Sequence, residues 1–286
     1  MRPLALHVAI GAAFCMGLPP GIAHSRDAAQ QTASERSQWN RPVEPFRIVG
    51  NVYYVGAAGV SAFLVATPAG SILLDGGLPE TAAQIARNIA ALGFKIEDVR
   101  FLLNSHAHFD HAGGLAELKR LSRATTVGSA RDAEALRAGS RDMPAVAIDR
   151  TIADGETIGI GDARMTAHLT PGHTKGCTTW TTKTIENGRS YDVLFHCSTS
   201  VVDRLVGNTA YPEIAADYEK SFAALRAMRC DVFLGPHPTF FALEEKRAKM
   251  RPRGVNPFVD PGELQRFVAS SERQFRDELK RQQGGR

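Results

Sequence analysis

A chain of 286 residues with 43% hydrophobic and 22% charged side chains can bury a large core, which excludes a disordered, collagen-like or multi-span membrane protein. Its 34 basic and 30 acidic side chains leave a formal charge of +4, too small and too dispersed to argue for a nucleic-acid partner. A moderately basic surface mildly favours anionic small molecules, unless it serves only solubility.

Residues 1–25 read as an export signal: Arg2, an apolar stretch from Leu4 to Leu18, then Pro19-Pro20-Gly21 and a small-residue region ending at Ser25. The stretch is too short, and too broken by His7 and the prolines, to span a membrane. The expected location of the mature protein is therefore the periplasm, with cleavage after Ala23 or Ser25. Residues 26–45, rich in Gln, Ser, Arg and Pro, read as an irregular arm that Trp39 pins to the body.

Residues 46–286 are expected to form a single domain. Short β runs come first, over Phe46 to Val49, Val52 to Val55, Ser61 to Ala66 and Ser71 to Leu74, separated by Gly-containing turns. Pro79 to Leu92 has proline at its start, apolar residues at helical spacing and Gly93 just after, the start and stop signals of a helix. Val99 to Leu103 is a buried strand, and Gly114 to Leu121 and Ala130 to Ala138 are helices flanking the short strand Thr125 to Val127. Gly139 to Arg150 reads as a loop. A second strand series covers Glu156 to Ile160, Ala163 to Leu169, Thr178 to Thr184 and Tyr191 to Cys197, with an Asn187-Gly188 hairpin turn in the last pair. Tyr218 to Met228 is a helix, Asp231 to Leu234 a strand, and Pro261 to Arg281 an amphipathic helix with Leu264, Phe267, Val268 and Phe275 inward. Strands then helices, repeated, imply two sheets face to face with helices outside.

Chemistry concentrates in Asn104-Ser105-His106-Ala107-His108-Phe109-Asp110-His111-Ala112-Gly113-Gly114. Strand residues alternate between faces, so this cluster converges only where the chain leaves the strand and turns sharply; the glycine pair marks that turn. His173 follows Pro171-Gly172 and His237 follows Gly235-Pro236, each beyond a strand. Imidazoles and a carboxylate at this density suit Zn(II), which accepts nitrogen and oxygen ligands and lowers the pKa of bound water towards ~7. Without the signal the chain keeps Cys177, Cys197 and Cys230, so at most one bridge can form. Cys177 and Cys197 both flank the expected metal pocket and are predicted to pair, leaving Cys230 buried and free.

These motifs, H-x-H-x-D-H, Pro-Gly-His-Thr-x-Gly and Gly-Pro-His with Leu74-Asp75-Gly76-Gly77 upstream, resemble the metallo-β-lactamase superfamily from about Phe46 to the C-terminal helix. The resemblance implies an α/β (α+β) fold, a four-layer αβ/βα sandwich with a zinc cleft along one edge. It implies two Zn2+ ions, the first on His106, His108 and His173 and the second on Asp110, His111 and His237. Asp110 would also orient the zinc-bound hydroxide that attacks the substrate. Asp75 resembles the aspartate that orients a ligand histidine, with turn capping as the alternative. His168 and His196 are left to packing or hydrogen bonding.

Superfamily members that cleave phosphoesters or thioesters place a bridging carboxylate where this chain has His196-Cys197-Ser198-Thr199-Ser200. Serine in that slot, with His111 as the extra ligand, resembles the third subclass (B3) of metallo-β-lactamases. That implies zinc-dependent hydrolysis of the β-lactam amide of penicillins, cephalosporins and carbapenems, and so antibiotic resistance. The alternative is another hydrolase of the fold, a lactonase or thioesterase. Ser198 and Ser200 would lie near the substrate carboxylate, and Arg204 stands where relatives place an oxyanion-stabilising tyrosine. Cys197 becomes a zinc ligand instead if the register shifts by one. The expected partners are small-molecule β-lactams, with no nucleic acid or membrane, and the chain is expected to be a monomer.

Overall fold

A computed structural model describes residues 34–252 and 254–284. The expected signal segment, residues 1–25, lies outside the described residues. Residues 34–39 are helical, so the expected irregular arm holds a helical turn before it extends over residues 41–45. Residues 38–284 belong to one compact unit.

That unit holds two sheets. The first has seven strands in sequence order: β1 (Phe46–Val49), β2 (Val52–Tyr54), β3 (Phe63–Thr67), β4 (Gly70–Leu74), β5 (Val99–Leu103), β6 (Thr125–Ser129) and β7 (Arg150–Ile152). Pairing is antiparallel from β1 to β4, where tight turns join neighbours, and parallel from β4 to β7, where helices cross between them. The second sheet holds β8 (Thr157–Ile160), β9 (Ala163–Leu169), β10 (Thr178–Glu186), β11 (Arg189–Phe195) and β12 (Val232–Leu234), in the order β12-β11-β10-β9-β8. Asn187 and Gly188, both at positive φ, make the β10–β11 turn, as the Asn-Gly pair predicts.

Side chains from both sheets merge in one core, where Ile48, Phe63, Ile72 and Leu103 meet Met165, Trp180 and Phe195. Trp180 is fully buried, and its indole Nε1–H donates to the Asn104 carbonyl at 3.3 Å, tying the second sheet to the end of β5. Outside the first sheet, α1 (Ala82–Ala91) and α3 (Leu115–Ser122) cover Leu64, Leu73 and Leu102 with Ile85, Ile89 and Leu118. Outside the second, α5 (Ile214–Ala227) and α7 (Glu263–Gly284) bury Phe222, Leu225, Leu264, Val268 and Phe275, with Phe267 partly buried beside them. The layers are therefore helices, sheet, sheet, helices. Among the described residues no helix is long and apolar enough to cross a membrane.

Five local expectations need correction. The histidine stretch contains a turn of helix, α2 (Phe109–Ala112), and α4 is limited to Ala133–Ala138. The Gly139 to Arg150 loop ends in strand β7, too short to show a period. Leu243–Lys249 forms an unpredicted helix, α6, directly after a 3-10 turn over Pro238–Phe241. Finally, Gly113 and Gly114 have helical dihedrals and make no sharp turn. Their role is close approach: a Cβ on Gly114 would sit 2.2 Å from the Gly76 carbonyl oxygen, and one on Gly113 would sit 2.5 Å from Pro79.

His196 lies one residue beyond β11, fully buried between Phe233 and Phe267, with Nδ1 unpartnered. Burial pushes its imidazole down to about 3. A base with a depressed folded-state pKa destabilises the fold as pH falls from the unfolded value near 6.5 towards 3, because the unfolded chain takes up the proton first. Between pH 7 and pH 5 the wild type should lose about 2 kcal/mol more stability than a His196→Leu chain. Denaturant unfolding of both chains at the two pH values measures this, and identical losses would contradict it.

Candidate metal centre

Four of the six candidate ligands sit in loops that leave the C-terminal end of a strand, and Asp110 and His111 lie on α2, which continues the first of these loops. His106 and His108 follow β5, His173 follows β9 and His237 follows β12, while Asp75 follows β4 and Ser198 follows β11. Parallel neighbours share an end, so β4 with β5 and β11 with β12 deliver these loops to one edge of the sandwich. The loop after β4 then locks onto the histidine stretch, since Gly76 N–H donates to the His111 carbonyl at 2.8 Å and Gly114 N–H to the Gly77 carbonyl at 3.2 Å.

The structure brings the six expected ligands into two groups, His106 with His108 and His173, and Asp110 with His111 and His237. Within each group one donor atom per residue lies within 4.8 Å of the others. His106, His111 and Asp110 are buried, and His108, His173 and His237 are half-buried at the cleft surface. Asp110 Oδ2 stands 3.2 Å from His111 Nε2 and 3.5 Å from His237 Nε2.

The ring atoms facing away from the groups are held by hydrogen bonds. His173 Nδ1 bonds the Ser200 carbonyl at 2.7 Å and His237 Nδ1 the Gly59 carbonyl at 2.8 Å; a carbonyl only accepts, so both rings carry their proton on Nδ1. The Ser105 hydroxyl donates to Asp75 Oδ2 at 2.7 Å and so accepts from His106 Nδ1 at 2.9 Å. Asp75 thus reaches a candidate ligand histidine through Ser105, and it also accepts the Ser105 N–H at 2.7 Å, tying the loop after β4 to the end of β5. These contacts fit the orienting role expected of Asp75, and Ser105, which links it to His106, is a residue that sequence reasoning did not single out. Asp75 keeps a left-handed backbone, φ 63°, to make these contacts.

Electrostatics follow from crowding. Burial, then the neighbouring imidazoles, hold His106 well below the ordinary histidine value, and bring His173 to about 3 and His237 to about 4. Burial alone would raise the Asp110 carboxyl, but His111 and His237 override it and keep it well below the usual carboxylate range. His111 moves up, because Asp110 and Asp75 outweigh its burial. Burial raises Asp75 to about 6, opposed by His111. At neutral pH His106, His108, His173 and His237 present neutral imidazole lone pairs and Asp110 a carboxylate.

Two divalent cations fit this donor set. His106 Nε2 is buried without any hydrogen-bond partner although its Nδ1 is anchored, a costly state for a ring nitrogen unless the lone pair has a ligand. A mixed nitrogen and oxygen set at these separations suits zinc, with His106, His108 and His173 holding one ion and Asp110, His111 and His237 the other.

The groups open into a cleft of about 1140 Å³ whose lining includes Trp39, Phe109, Ser198, Ser200, Val202 and Phe240. Trp39 stacks on Phe109 at 6.5 Å and tilts over His237 at 5.7 Å, so residues beyond the expected domain boundary at Phe46 wall the cleft. Arg204 is not among the lining residues. It is exposed, on a loop whose Asn208 side chain donates to Asp203 Oδ2 and to the Arg204 carbonyl. Cys177 and Cys197 are bridged, with Cα atoms 5.8 Å apart, and Cys230 is free and buried. The bridge takes Cys197 away from a ligand role and leaves Ser198 facing the cleft. His168 bonds Thr181 across the strand pair and stays outside the site.

A family model described as the metallo-beta-lactamase superfamily matches residues 55–237, spanning all six candidate ligands. The chain belongs to the metallo-β-lactamase superfamily. Its fold superposes on BJP-1, a subclass B3 metallo-beta-lactamase of Bradyrhizobium japonicum, with a TM-score of 0.83 and 40% identity, covering 87% of this chain and 98% of that one. FEZ-1 from Legionella gormanii gives a TM-score of 0.83 at 38% identity over 85% of this chain and 98% of that one. By sequence, the hydroxyacylglutathione hydrolase of Rhodospirillum rubrum is 35% identical over 98 residues, 34% of either chain. The chain therefore spans about a third of the length of the curated relatives it matches, against nearly all of the two metallo-β-lactamase structures.

Proposed function

We propose that this chain is a dizinc hydrolase of the β-lactam amide, acting on penicillins, cephalosporins and carbapenems, and that residues 1–25 export it to the periplasm. The observation that carries the proposal is Ser198. Beyond β11, where the motif resemblance places a bridging acid in thioester- and phosphoester-cleaving members, this chain turns a serine to the cleft and leaves Asp110 as the carboxylate grouped with the histidines. Likeness to a subclass B3 enzyme over nearly its whole length supports the same conclusion.

Zinc bound at the two groups would supply Lewis-acid polarisation of the lactam carbonyl and a water whose pKa falls towards ~7. The chain supplies the rest. Asp110, ionised at neutral pH, accepts a hydrogen bond from the attacking water and fixes its approach. Trp39, Phe109 and Phe240 present apolar walls to the fused rings, while the Ser198 and Ser200 hydroxyls are offered to the substrate carboxylate. Ser200 N–H is held on Ser198 Oγ at 3.2 Å and its carbonyl accepts from Tyr218 at 2.7 Å, so this edge is rigid before substrate arrives.

The match to hydroxyacylglutathione hydrolases favours a second activity, thioester cleavage, for which the same zinc ligands would serve. Purified protein assayed on a chromogenic cephalosporin and on a hydroxyacyl thioester of glutathione separates the two. Faster turnover of the cephalosporin supports lactam hydrolysis, and turnover of the thioester alone would overturn it.

A further inference from the structure

Asp132 is a buried carboxylate that no motif includes. It stands at the N-cap position of α4, where an aspartate ordinarily accepts from the first helical N–H groups, yet its side chain makes no capping bond. The carboxylate turns instead towards the metal edge. Its Oδ2 accepts the backbone N–H of Ala107 at 2.9 Å and the hydroxyl of Thr174 at 2.8 Å, and its Oδ1 accepts the backbone N–H of Gly176 at 2.8 Å.

Those three donors belong to two separate loops. Ala107 lies between His106 and His108, and Thr174 adjoins His173, so one carboxylate joins the two loops that carry every ligand of the first group; its donors flank those ligands directly, whereas Asp110 and His111 lie three and four residues beyond Ala107 and the loop of His237 is not touched. Gly176 is fitted to this arrangement, since a Cβ there would lie 2.6 Å from Asp132 Cγ. Asp132 is 4% exposed, and among the described residues no ion pair offsets its charge. A buried carboxylate without a cation is expensive unless its hydrogen bonds and a nearby positive charge compensate it. A dication on His106, His108 and His173 provides that charge.

We infer that Asp132 is a positioning residue for the first metal site, joining its two ligand loops and selecting which of the two sites binds zinc more tightly. This rests on the two-zinc assignment above and not on the identity of the substrate. In an Asp132→Asn chain the cap propensity at α4 is retained, but the amide nitrogen cannot accept from the loop donors. Zinc affinity of the first group should fall about 10- to 100-fold, as for other partners that orient metal ligands.

The test measures zinc affinity by chelator competition in single-site backgrounds. A His237→Ala chain reports the first group and a His108→Ala chain the second, each with and without Asp132→Asn. Thr174→Val, which removes one donor without touching the backbone, serves as the milder second variant. The inference predicts weaker zinc in the first background with either change, the larger loss for Asp132→Asn, and affinity within about threefold of the parent in the second. Equal losses in both backgrounds would mean general destabilisation and overturn it, as would unchanged affinity in the first. If Asp132→Asn does not fold, unchanged first-site affinity in Thr174→Val overturns it alone. Activity is not the readout, so a chain that proves to be a thioesterase leaves the result intact.

Discussion

Asp110→Asn should lower kcat/KM for a carbapenem by about 10²- to 10⁴-fold, the range for removing a group that handles a proton in the transition state. The substitution keeps the side-chain shape but removes the charge that His111 and His237 flank at 3.2 Å and 3.5 Å. The second group then loses its anionic ligand, and zinc content should drop from two ions towards one. The first group, made only of His106, His108 and His173, should keep its ion. Because the Asp110 carboxyl is held well below the usual range, the loss should be constant from pH 6 to pH 8. Steady-state kinetics with metal analysis on the same sample check this, and an asparagine variant with full activity would remove Asp110 from the chemistry.

The largest effect on stability is expected from Trp180→Ala, about 3–5 kcal/mol, as for a fully buried aromatic whose removal leaves a cavity. Trp180 fills the space between the sheets and holds the Asn104 carbonyl. Asn104 in turn donates from Nδ2 to the His106 carbonyl at 2.9 Å, so loss of the indole loosens the strand end that delivers the first two ligands. Trp180→Phe retains most of the packing and should cost mainly the hydrogen bond, about 0.5–1.5 kcal/mol, plus the smaller volume. Denaturant unfolding of the three chains tests the pair, and an alanine variant within about 1 kcal/mol of wild type would show that the core closes without the indole.

The candidate metal ligands were legible in the sequence because four of the six cluster after Val99 to Leu103 and the other two follow Ala163 to Leu169 and Asp231 to Leu234, strands whose spacing could be read directly. His106, His108, Asp110 and His111 needed only their mutual spacing. The groups that orient them were not legible, since Ser105 and Asp132 act through contacts across loops and carry residue types that are common in turns. Asp132 fell inside the helix expected over Ala130 to Ala138 and so drew no notice. Strand β7 has three residues, too few for an alternation to show. Helix α6 starts after Ala242, which is left-handed and has no side chain able to cap, so nothing in the sequence marks its start. Arg204, expected near the substrate by resemblance, is exposed and does not line the cleft, which residue type alone could not show. The glycine pair was found, but for a turn it does not make: its contacts with Gly76 and Pro79 join residues far apart in sequence and cannot be seen there.

The most direct measurement is hydrolysis of a carbapenem by the purified protein before treatment with EDTA, after it, and after zinc is restored. Rapid loss of absorbance at the lactam chromophore, its abolition by the chelator and its recovery with zinc are the predicted results. A fully zinc-loaded protein that leaves the carbapenem and a chromogenic cephalosporin intact would contradict β-lactam hydrolysis, whatever other ester or thioester it cleaves.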